Sequence, residues 1–280
     1  MAASRASGLR VVVVVAAAFC AAAAVPAAAS AADPAVPAAA VPGSATAGPA
    51  AVPGSGAAPD AGRPARPRDP FRLTTRSAHT AQVVVPTRVR ARPGAGARRE
   101  RVGTEARWGR GPVRLLVLRS ALDVGGRRWL RVRLHDRPND RAGWILADRT
   151  RMRVTPWRLV VSVSARTVTV RRRGKVVRRF GAVVGAPSTP TPRGLFAVGE
   201  RIRQPPGVLG PWALHLTAHS DVLDDYGGGP GRVAIHGRSG ALLSDPLGTA
   251  ASHGCIRIDN EAVDWLAQRA REGTPVRVRR

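Results

Sequence analysis

One cysteine and two histidines lie close together near the carboxyl end of the sequence. His236-Gly237 follows the short apolar run 233–235, and Ser252-His253-Gly254-Cys255-Ile256-Arg257 begins after fourteen further residues. A cysteine attacks a carbonyl as the thiolate, and its ordinary pKa of about 8.5 calls for a neighbouring group that takes the proton. The imidazole of His236 is the candidate base, because the intervening loop can fold back and bring it to Cys255. The spacing therefore predicts a cysteine nucleophile with a histidine partner.

The residues beside Cys255 suit the same chemistry. Gly254 places no side chain next to the nucleophile, and we expect it to leave backbone N–H groups for a developing oxyanion. Arg257 shares a strand face with Cys255, where its guanidinium would bind a substrate carboxylate through two parallel hydrogen bonds. His253 has the same two-residue spacing on the other side of Cys255 and is a further candidate for the catalytic set.

Two other interpretations of these residues stay open. His236, His253 and Cys255 include the donor types that bind zinc, although His-x-Cys is a tight spacing for two ligands. Cys255 and His236 also have common structural roles, the cysteine as a small buried side chain and the histidine as a core residue. We expect no metal and no cofactor.

The elements that position these residues are mainly short strands. Residues 157–170 alternate between polar and apolar, Arg173-Gly174-Lys175 reads as a turn, and 176–184 returns as the second arm of a hairpin. The three prolines within 187–192 predict a rigid loop before a short strand at 195–198. A single helix is predicted over 260–271, with Asp259 or Asn260 as N-cap and Gly273 as the stop.

A separate group of short strands comes before this region. From Gln82 onward, β-rich runs alternate with turn signals, and the segment 129–134 alternates as a half-buried strand does. The arrangement of Trp129-Leu130, Arg137-Pro138-Asn139 and Gly143-Trp144-Ile145 resembles a bacterial Src-homology-3-like domain over 82–153. Such a domain binds wall material or orients a catalytic partner; Trp129 and Trp144 are equally explained as core residues.

The first residues have the order of an export signal. Arg5 and Arg10 precede an uncharged apolar run over 11–25, and small residues follow it. We therefore assign residues 1–32 to a signal peptide, which contains Cys20, and 33–80 to a disordered linker rich in Ala, Pro and Gly. The remaining boundaries place a small β-barrel at 81–155 and a catalytic domain at 156–280. The predicted fold class is mainly β, with a sandwich-like or barrel-like catalytic domain and one helix near its carboxyl end.

The net charge of the chain is +27. Such a charge favours anionic partners, which for an exported protein are acidic wall polymers. The export signal and the absence of interleaved basic and aromatic residues argue against nucleic acid as the partner. We expect an extracytoplasmic, wall-located protein that meets the membrane only through its signal or an uncleaved anchor.

The carboxyl-terminal region resembles L,D-transpeptidases with a YkuD-like catalytic domain. The resemblance rests first on His236-Gly237 and the Ser252–Arg257 motif at its distance of fourteen residues. Gly185-Ala186-Pro187, the proline-rich loop up to Phe196 and the closing Gly273-Thr274-Pro275-Val276 match the family in the same order. The resemblance covers residues 157–280.

The resemblance implies a defined reaction on peptidoglycan stem peptides. Cys255 would attack the carbonyl of the third residue of a tetrapeptide stem, normally a diamino acid, so that D-Ala leaves and a thioester forms. The amine of a second stem or of a protein would take the acyl group, and His236 would accept and return the proton. The other expected site residues are His253 in the catalytic set and, for substrate or oxyanion contacts, Ser252, Gly254, Arg257 and Gly237. Arg257 stands where some members of the family have Asn.

Other functions predict different behaviour. Papain-like wall hydrolases place the cysteine before the histidine, and sortases place the histidine much further upstream. If water takes the acyl group in place of an amine, the same site is an L,D-carboxypeptidase. A non-catalytic wall-binding protein would keep its function without Cys255.

Overall fold

The computed structural model describes residues 69–225 and 229–280. The predicted signal peptide, Cys20 and most of the predicted linker lie outside the described residues. Within the described part the chain is mainly β-strand and contains one α-helix, which confirms the predicted fold class. None of the described helices has the length and apolar character that crossing a membrane requires.

The first seven strands form one sheet, called here the N-terminal sheet. They are β1 (Ala78–Val83), β2 (Thr87–Arg92), β3 (Ala95–Val102), β4 (Arg114–Leu122), β5 (Arg128–Arg133), β6 (Ala142–Leu146) and β7 (Thr150–Thr155). Their order across the sheet is β3-β2-β6-β5-β4-β1-β7. Trp129 and Trp144 are 4 % and 6 % exposed, so neither ring is open to a ligand, which favours a structural role for both.

The second sheet, called here the C-terminal sheet, has eight strands. They are β8 (Trp157–Ser162), β9 (Thr167–Arg172), β10 (Lys175–Gly181), β12 (Gly194–Arg203), β13 (Trp212–His219), β14 (Arg232–His236), β16 (Ile256–Arg257) and β17 (Pro275–Arg279). Their order is β10-β9-β8-β17-β12-β13-β14-β16, and the remaining two strands, β11 (Val184–Gly185) and β15 (Ala250–Ser252), form a separate parallel pair. The carboxyl-terminal strand therefore lies in the middle of the sheet.

Strand boundaries differ from the sequence prediction at one turn. The alternating stretch 157–170 is two strands, because the chain turns between Ser162 and Thr167, where Arg166 has a φ of 51°. The Ala165 N–H donates to Ser162 Oγ inside this turn. The predicted turn at Arg173-Gly174 is present, and both of its residues have positive φ.

The helix α1 (Asn260–Ala267) begins where the sequence predicts and ends four residues earlier. Asp259 is the N-cap residue, although its side chain makes no capping hydrogen bond. The apolar face of α1 is Ala262, Val263, Leu266 and Ala267, all buried in the main core of the C-terminal sheet. This packing fixes the segment that directly follows Arg257.

The two sheets are joined by polar contacts. Asn139 forms two hydrogen bonds with the backbone of His219, donating to its carbonyl at 2.8 Å and accepting from its N–H at 2.9 Å. The Glu200 carboxylate of β12 accepts from the Gly109 N–H at 2.6 Å. Glu200 is buried, so this hydrogen bond both links the two sheets and gives the buried carboxylate a donor.

Candidate active site

Cys255 directly precedes β16, at the edge of the C-terminal sheet. Strand β16 pairs with β14 in parallel, with His236 opposite Arg257 and Ile235 opposite Ile256. Arg257 and His236 are direct partners and so share one face of the two strands. Cys255 is half-buried and comes one residue before β16, so the pairing brings the segment that follows the predicted nucleophile beside the strand that ends in the predicted base, and their contact stays a prediction.

The ring of His236 is held in a defined orientation. Nδ1 lies 2.6 Å from the Gly237 carbonyl oxygen. A carbonyl only accepts hydrogen bonds, so Nδ1 carries the proton and the neutral ring keeps Nε2 as its proton acceptor. Burial lowers the pKa of His236 to about 4; the positive charge of Arg257 acts in the same direction and the bond to Gly237 in the opposite one. At neutral pH His236 is thus an uncharged base.

Ser252 ties the nucleophile loop together. Its hydroxyl donates to the Cys255 carbonyl at 2.5 Å and accepts from the Gly254 N–H at 3.2 Å. The residue is 1 % exposed, so both bonds lie in the interior. Because Ser252 Oγ accepts the Gly254 N–H, an oxyanion would have to use other N–H groups beside Cys255, and the oxyanion role of this loop stays a prediction.

Gly254 is needed for its backbone conformation. Its φ is +112°, a region that other residues rarely adopt. A Cβ at this position would meet only ordinary contacts, the nearest being Pro190 O at 3.7 Å. The predicted reason for this glycine was its lack of side-chain bulk. The structural reason is its positive φ, which the turn before Cys255 requires.

Hydrogen bonds from the proline-rich loop hold the nucleophile loop in place. The Thr191 hydroxyl donates to the Gly254 carbonyl at 2.9 Å and accepts from the Gly185 N–H at the same distance. The Thr189 hydroxyl donates to the Ser252 carbonyl at 3.1 Å. Gly185 makes this packing possible, since a Cβ there would lie 2.4 Å from backbone atoms of the loop. Sequence reasoning found the loop but missed the bracing role of its two threonines.

Arg257 has a carboxylate partner within the chain. Its guanidinium pairs with Asp245 at 2.5 Å, and its Nε is buried without a hydrogen-bond partner. Asp245 lies in the loop between His236 and Ser252, and the sequence analysis gave it no role. Binding of a substrate carboxylate by Arg257 stays a prediction, and Asp245 already occupies one side of the guanidinium.

Gly237 permits a close approach of three segments. A Cβ on Gly237 would lie 2.2 Å from Asn260 Oδ1 and 3.0 Å from the Gly210 Cα. That Asn260 oxygen accepts the Arg238 N–H at 2.9 Å, which links the end of β14 to the start of α1. Beside this junction lies an open groove of about 910 Å³, whose lining includes Pro206, Val208 and Ser239.

Two further histidines differ in their surroundings. His253 is exposed, in contrast to His236. His215 of β13 is paired with Ala234 and belongs to the same sheet face as His236. Burial, followed by the charges of Arg232 and His236, lowers the pKa of His215 to about 3. No sequence signal singled out His215, because its proximity depends on the pairing of β13 with β14.

The zinc interpretation lacks a donor cluster. In the part of the chain that the structure describes, no three His, Cys, Asp or Glu side chains are grouped as metal ligands.

Comparison with known proteins gives the family of this site. Residues 156–278 match the family model for YkuD, the L,D-transpeptidase catalytic domain. A putative L,D-transpeptidase YkuD of Bacillus subtilis is 33 % identical over 125 residues, which are 45 % of this chain and 67 % of that protein. The chain belongs to the YkuD L,D-transpeptidase family.

Two mycobacterial L,D-transpeptidases show lower similarity. L,D-transpeptidase 1 of Mycobacterium tuberculosis is 31 % identical over 133 residues, covering 42 % of this chain and 49 % of that protein. A solved L,D-transpeptidase from Mycobacterium smegmatis has a TM-score of 0.38 and 19 % identity, covering 64 % of this chain and 93 % of the other. The chain thus spans about two thirds of the Bacillus relative and about half of the M. tuberculosis relative.

Proposed function

We propose that this protein is a peptidoglycan L,D-transpeptidase that works through a thioester on Cys255. The observation that carries the proposal is the contact of His236 Nδ1 with the Gly237 carbonyl at 2.6 Å, at the end of a strand that pairs with β16 directly after Cys255. In this proposal Nε2 is the basic nitrogen and faces Cys255. Membership of the YkuD family supports stem peptides of peptidoglycan as the substrate.

The proposed reaction has two halves. In the first, His236 Nε2 takes the Cys255 proton, and the sulfur attacks the carbonyl of the third residue of a tetrapeptide stem. The imidazolium returns the proton to the departing D-Ala amine, which leaves a thioester. In the second half, the amine of another stem or of a protein loses a proton to His236 and takes the acyl group, which restores the thiol.

The surrounding residues have supporting roles in this proposal. Ser252 and Gly254 hold the turn that presents Cys255, and Gly237 supplies the carbonyl that orients His236. His253 and Arg257 are proposed to contact substrate beside the nucleophile. The N–H groups near Cys255, other than the one engaged at Gly254, are the proposed oxyanion donors.

The test is incubation of the chain with disaccharide-tetrapeptide muropeptides, with products scored by mass spectrometry. Crosslinked dimers with loss of D-Ala support transpeptidation, whereas tripeptides alone make the protein an L,D-carboxypeptidase. Cys255→Ala must abolish either product. If the wild type also yields no product, the protein is better explained as a non-catalytic wall-binding protein.

We also propose that the protein acts outside the cytoplasmic membrane. Residues 1–32 would direct export, 33–80 would span part of the wall, and the 81–155 region would hold wall material against the 156–280 region. Intact mass of the extracellular protein tests this: cleavage in the 29–33 region supports a removed signal, and a protein confined to the cytoplasm contradicts export.

A further inference from the structure

Acidic residues that could balance the positive charge are unevenly distributed along this chain. Between Asp148 and Glu200 the sequence has eleven arginines and one lysine but no acidic residue. An overall bias toward arginine explains why arginines are frequent, but it does not explain why carboxylates are missing from the 51 consecutive positions 149–199. The acid-free segment includes β8, β9 and β10, which are the three strands at one edge of the C-terminal sheet.

Strand pairing gathers these charges on one face. Arg158 of β8 lies directly opposite Arg171 of β9. On the other side of β8, Arg277 of β17 is opposite Val160, two residues along from Arg158 and so on the same face. Neighbouring strands are about 4.8 Å apart, which sets three guanidinium-bearing residues side by side on adjacent strands.

The N-terminal sheet continues this row. Arg131 and Arg133 share a face of β5, and the charges of Arg131 and Arg277 add to burial in lowering the pKa of Arg133. In the same way, burial followed by the charges of Arg277 and Arg171 lowers the pKa of Arg158. Arg277 therefore acts on both Arg133 and Arg158, while Arg131 acts on Arg133 and Arg171 acts on Arg158. We call these five arginines the basic row: Arg131, Arg133, Arg158, Arg171 and Arg277.

The basic row is poorly neutralised compared with arginines elsewhere. Among the described residues it has one carboxylate, Asp140, which lies 3.2 Å from Arg133 and is itself 57 % exposed. By contrast, Glu272 lies between Arg114 and Arg201, at 3.5 Å and 2.9 Å. Arg133 is only 6 % exposed, yet its Nε has no hydrogen-bond partner. Arg158 and Arg171 donate hydrogen bonds to the backbone carbonyls of Thr74 and Gly174, which are uncharged and leave both positive charges in place.

We propose that the basic row binds a linear anionic wall polymer with repeated phosphodiester groups. Its charges are spread in a line across several strands, which suits a chain of anions better than a single small anion. The rings of Trp157 and Trp265 pack against the main core, and Trp157 lies on the face of β8 opposite to Arg158. Bases of a nucleic acid would need open rings for stacking, so a polymer without bases fits the surface better. Contact with such a polymer rests on the export proposed above.

The test measures binding of the full chain to purified poly(glycerol phosphate) over a range of salt concentrations. Arg158→Gln, Arg171→Gln and Arg277→Gln combined should weaken binding at least tenfold and lower the slope of log K against log salt by about two to three. The matched control removes three exposed charges outside the row, Arg88, Arg92 and Arg271, by the same substitution. This control should change binding less than threefold.

Several results would overturn the proposal. Equal weakening by the control shows that net charge, and no particular surface, is responsible. Equal affinity for single-stranded DNA or for anionic phospholipid vesicles would assign the basic row to a different partner. If the chain does not bind the polymer at 0.1 M salt, the proposal is wrong. If the triple variant does not fold, Arg277→Gln with Arg279→Gln, both exposed, replaces it with an expected threefold or greater loss. Cys255→Ala should bind like the wild type, so failure of the polymer test is separate from failure of the enzymatic proposal.

Discussion

Replacing Ser252 by alanine tests how the nucleophile loop is held. The Ser252 hydroxyl bridges the Cys255 carbonyl, at 2.5 Å, and the Gly254 N–H, at 3.2 Å, in a place that is 1 % exposed. Alanine removes the bridge and leaves both backbone groups buried with one partner fewer. At about 1–3 kcal/mol for each group, the free energy of unfolding should fall by about 2–5 kcal/mol.

The assay is urea denaturation of the wild type, Ser252→Ala and the matched control Ser244→Ala. The Ser244 hydroxyl also donates a hydrogen bond to a backbone carbonyl, that of Ala241 at 2.7 Å, but Ser244 lies on the surface. The control should therefore change the free energy of unfolding by less than about 0.5 kcal/mol. Equal effects of the two substitutions would refute the bracing role of Ser252. A catalytic rate that is unchanged in Ser252→Ala would show that the turn does not need the bridge.

Three other predictions concern the same region. Gly185→Ala places a Cβ 2.4 Å from backbone atoms of the proline-rich loop, so the free energy of unfolding should drop by about 2–4 kcal/mol; an unchanged thermal midpoint would contradict this. Asp245→Asn leaves the Arg257 guanidinium without its carboxylate and should destabilise the fold by about 2 kcal/mol, whereas a neutral effect in urea denaturation would mean that solvent replaces the pair. The free energy of unfolding should also decrease as the pH is lowered, because His236 in the unfolded chain binds a proton near pH 6.5 and the folded residue only near pH 4. Between these values the unfolded state is favoured as pH decreases, by about 3 kcal/mol in all for His236. His236→Gln should reduce this pH dependence, and an equal slope in both proteins would contradict the pKa.

Local signals in the sequence predicted much of the fold. Alternation identified strands in both sheets, and the helical spacing of Ala262, Val263 and Leu266 identified the one helix. The turn at Arg173-Gly174 was predicted because glycine adopts positive φ readily. These features depend on residues that are neighbours in the chain.

The order of strands could not be predicted in this way. Strand β17 inserts between β8 and β12, and β13 was not identified at all. The pairings of β17 join segments 117 residues apart (Val276 with Leu159) and 80 residues apart (Val276 with Phe196), for which a single sequence holds no local signal. The turn between Ser162 and Thr167 was missed for another reason, since the residues on both sides continue the same alternation.

The candidate site shows the same division. The residue types and spacing of His236 and Cys255 predict their chemistry, and the parallel pairing of β14 with β16 brings the segment directly after Cys255 beside His236. The bond between the Gly254 N–H and the side chain of Ser252, two residues earlier, was not predicted. Thr191 and Asp245 act across long loops, so their contacts follow from the fold alone.

The central claim is that Cys255 forms the acyl-enzyme and that neutral His236 is its base. The most direct measurement is intact-protein mass spectrometry of an acid-quenched reaction with a tetrapeptide muropeptide. We expect an added mass equal to the donor minus D-Ala, located on the peptide that contains Cys255. His236→Ala should lose this adduct while keeping the fold, as judged by circular dichroism. No adduct on the folded wild type, an adduct elsewhere, or undiminished acylation in His236→Ala would contradict the mechanism.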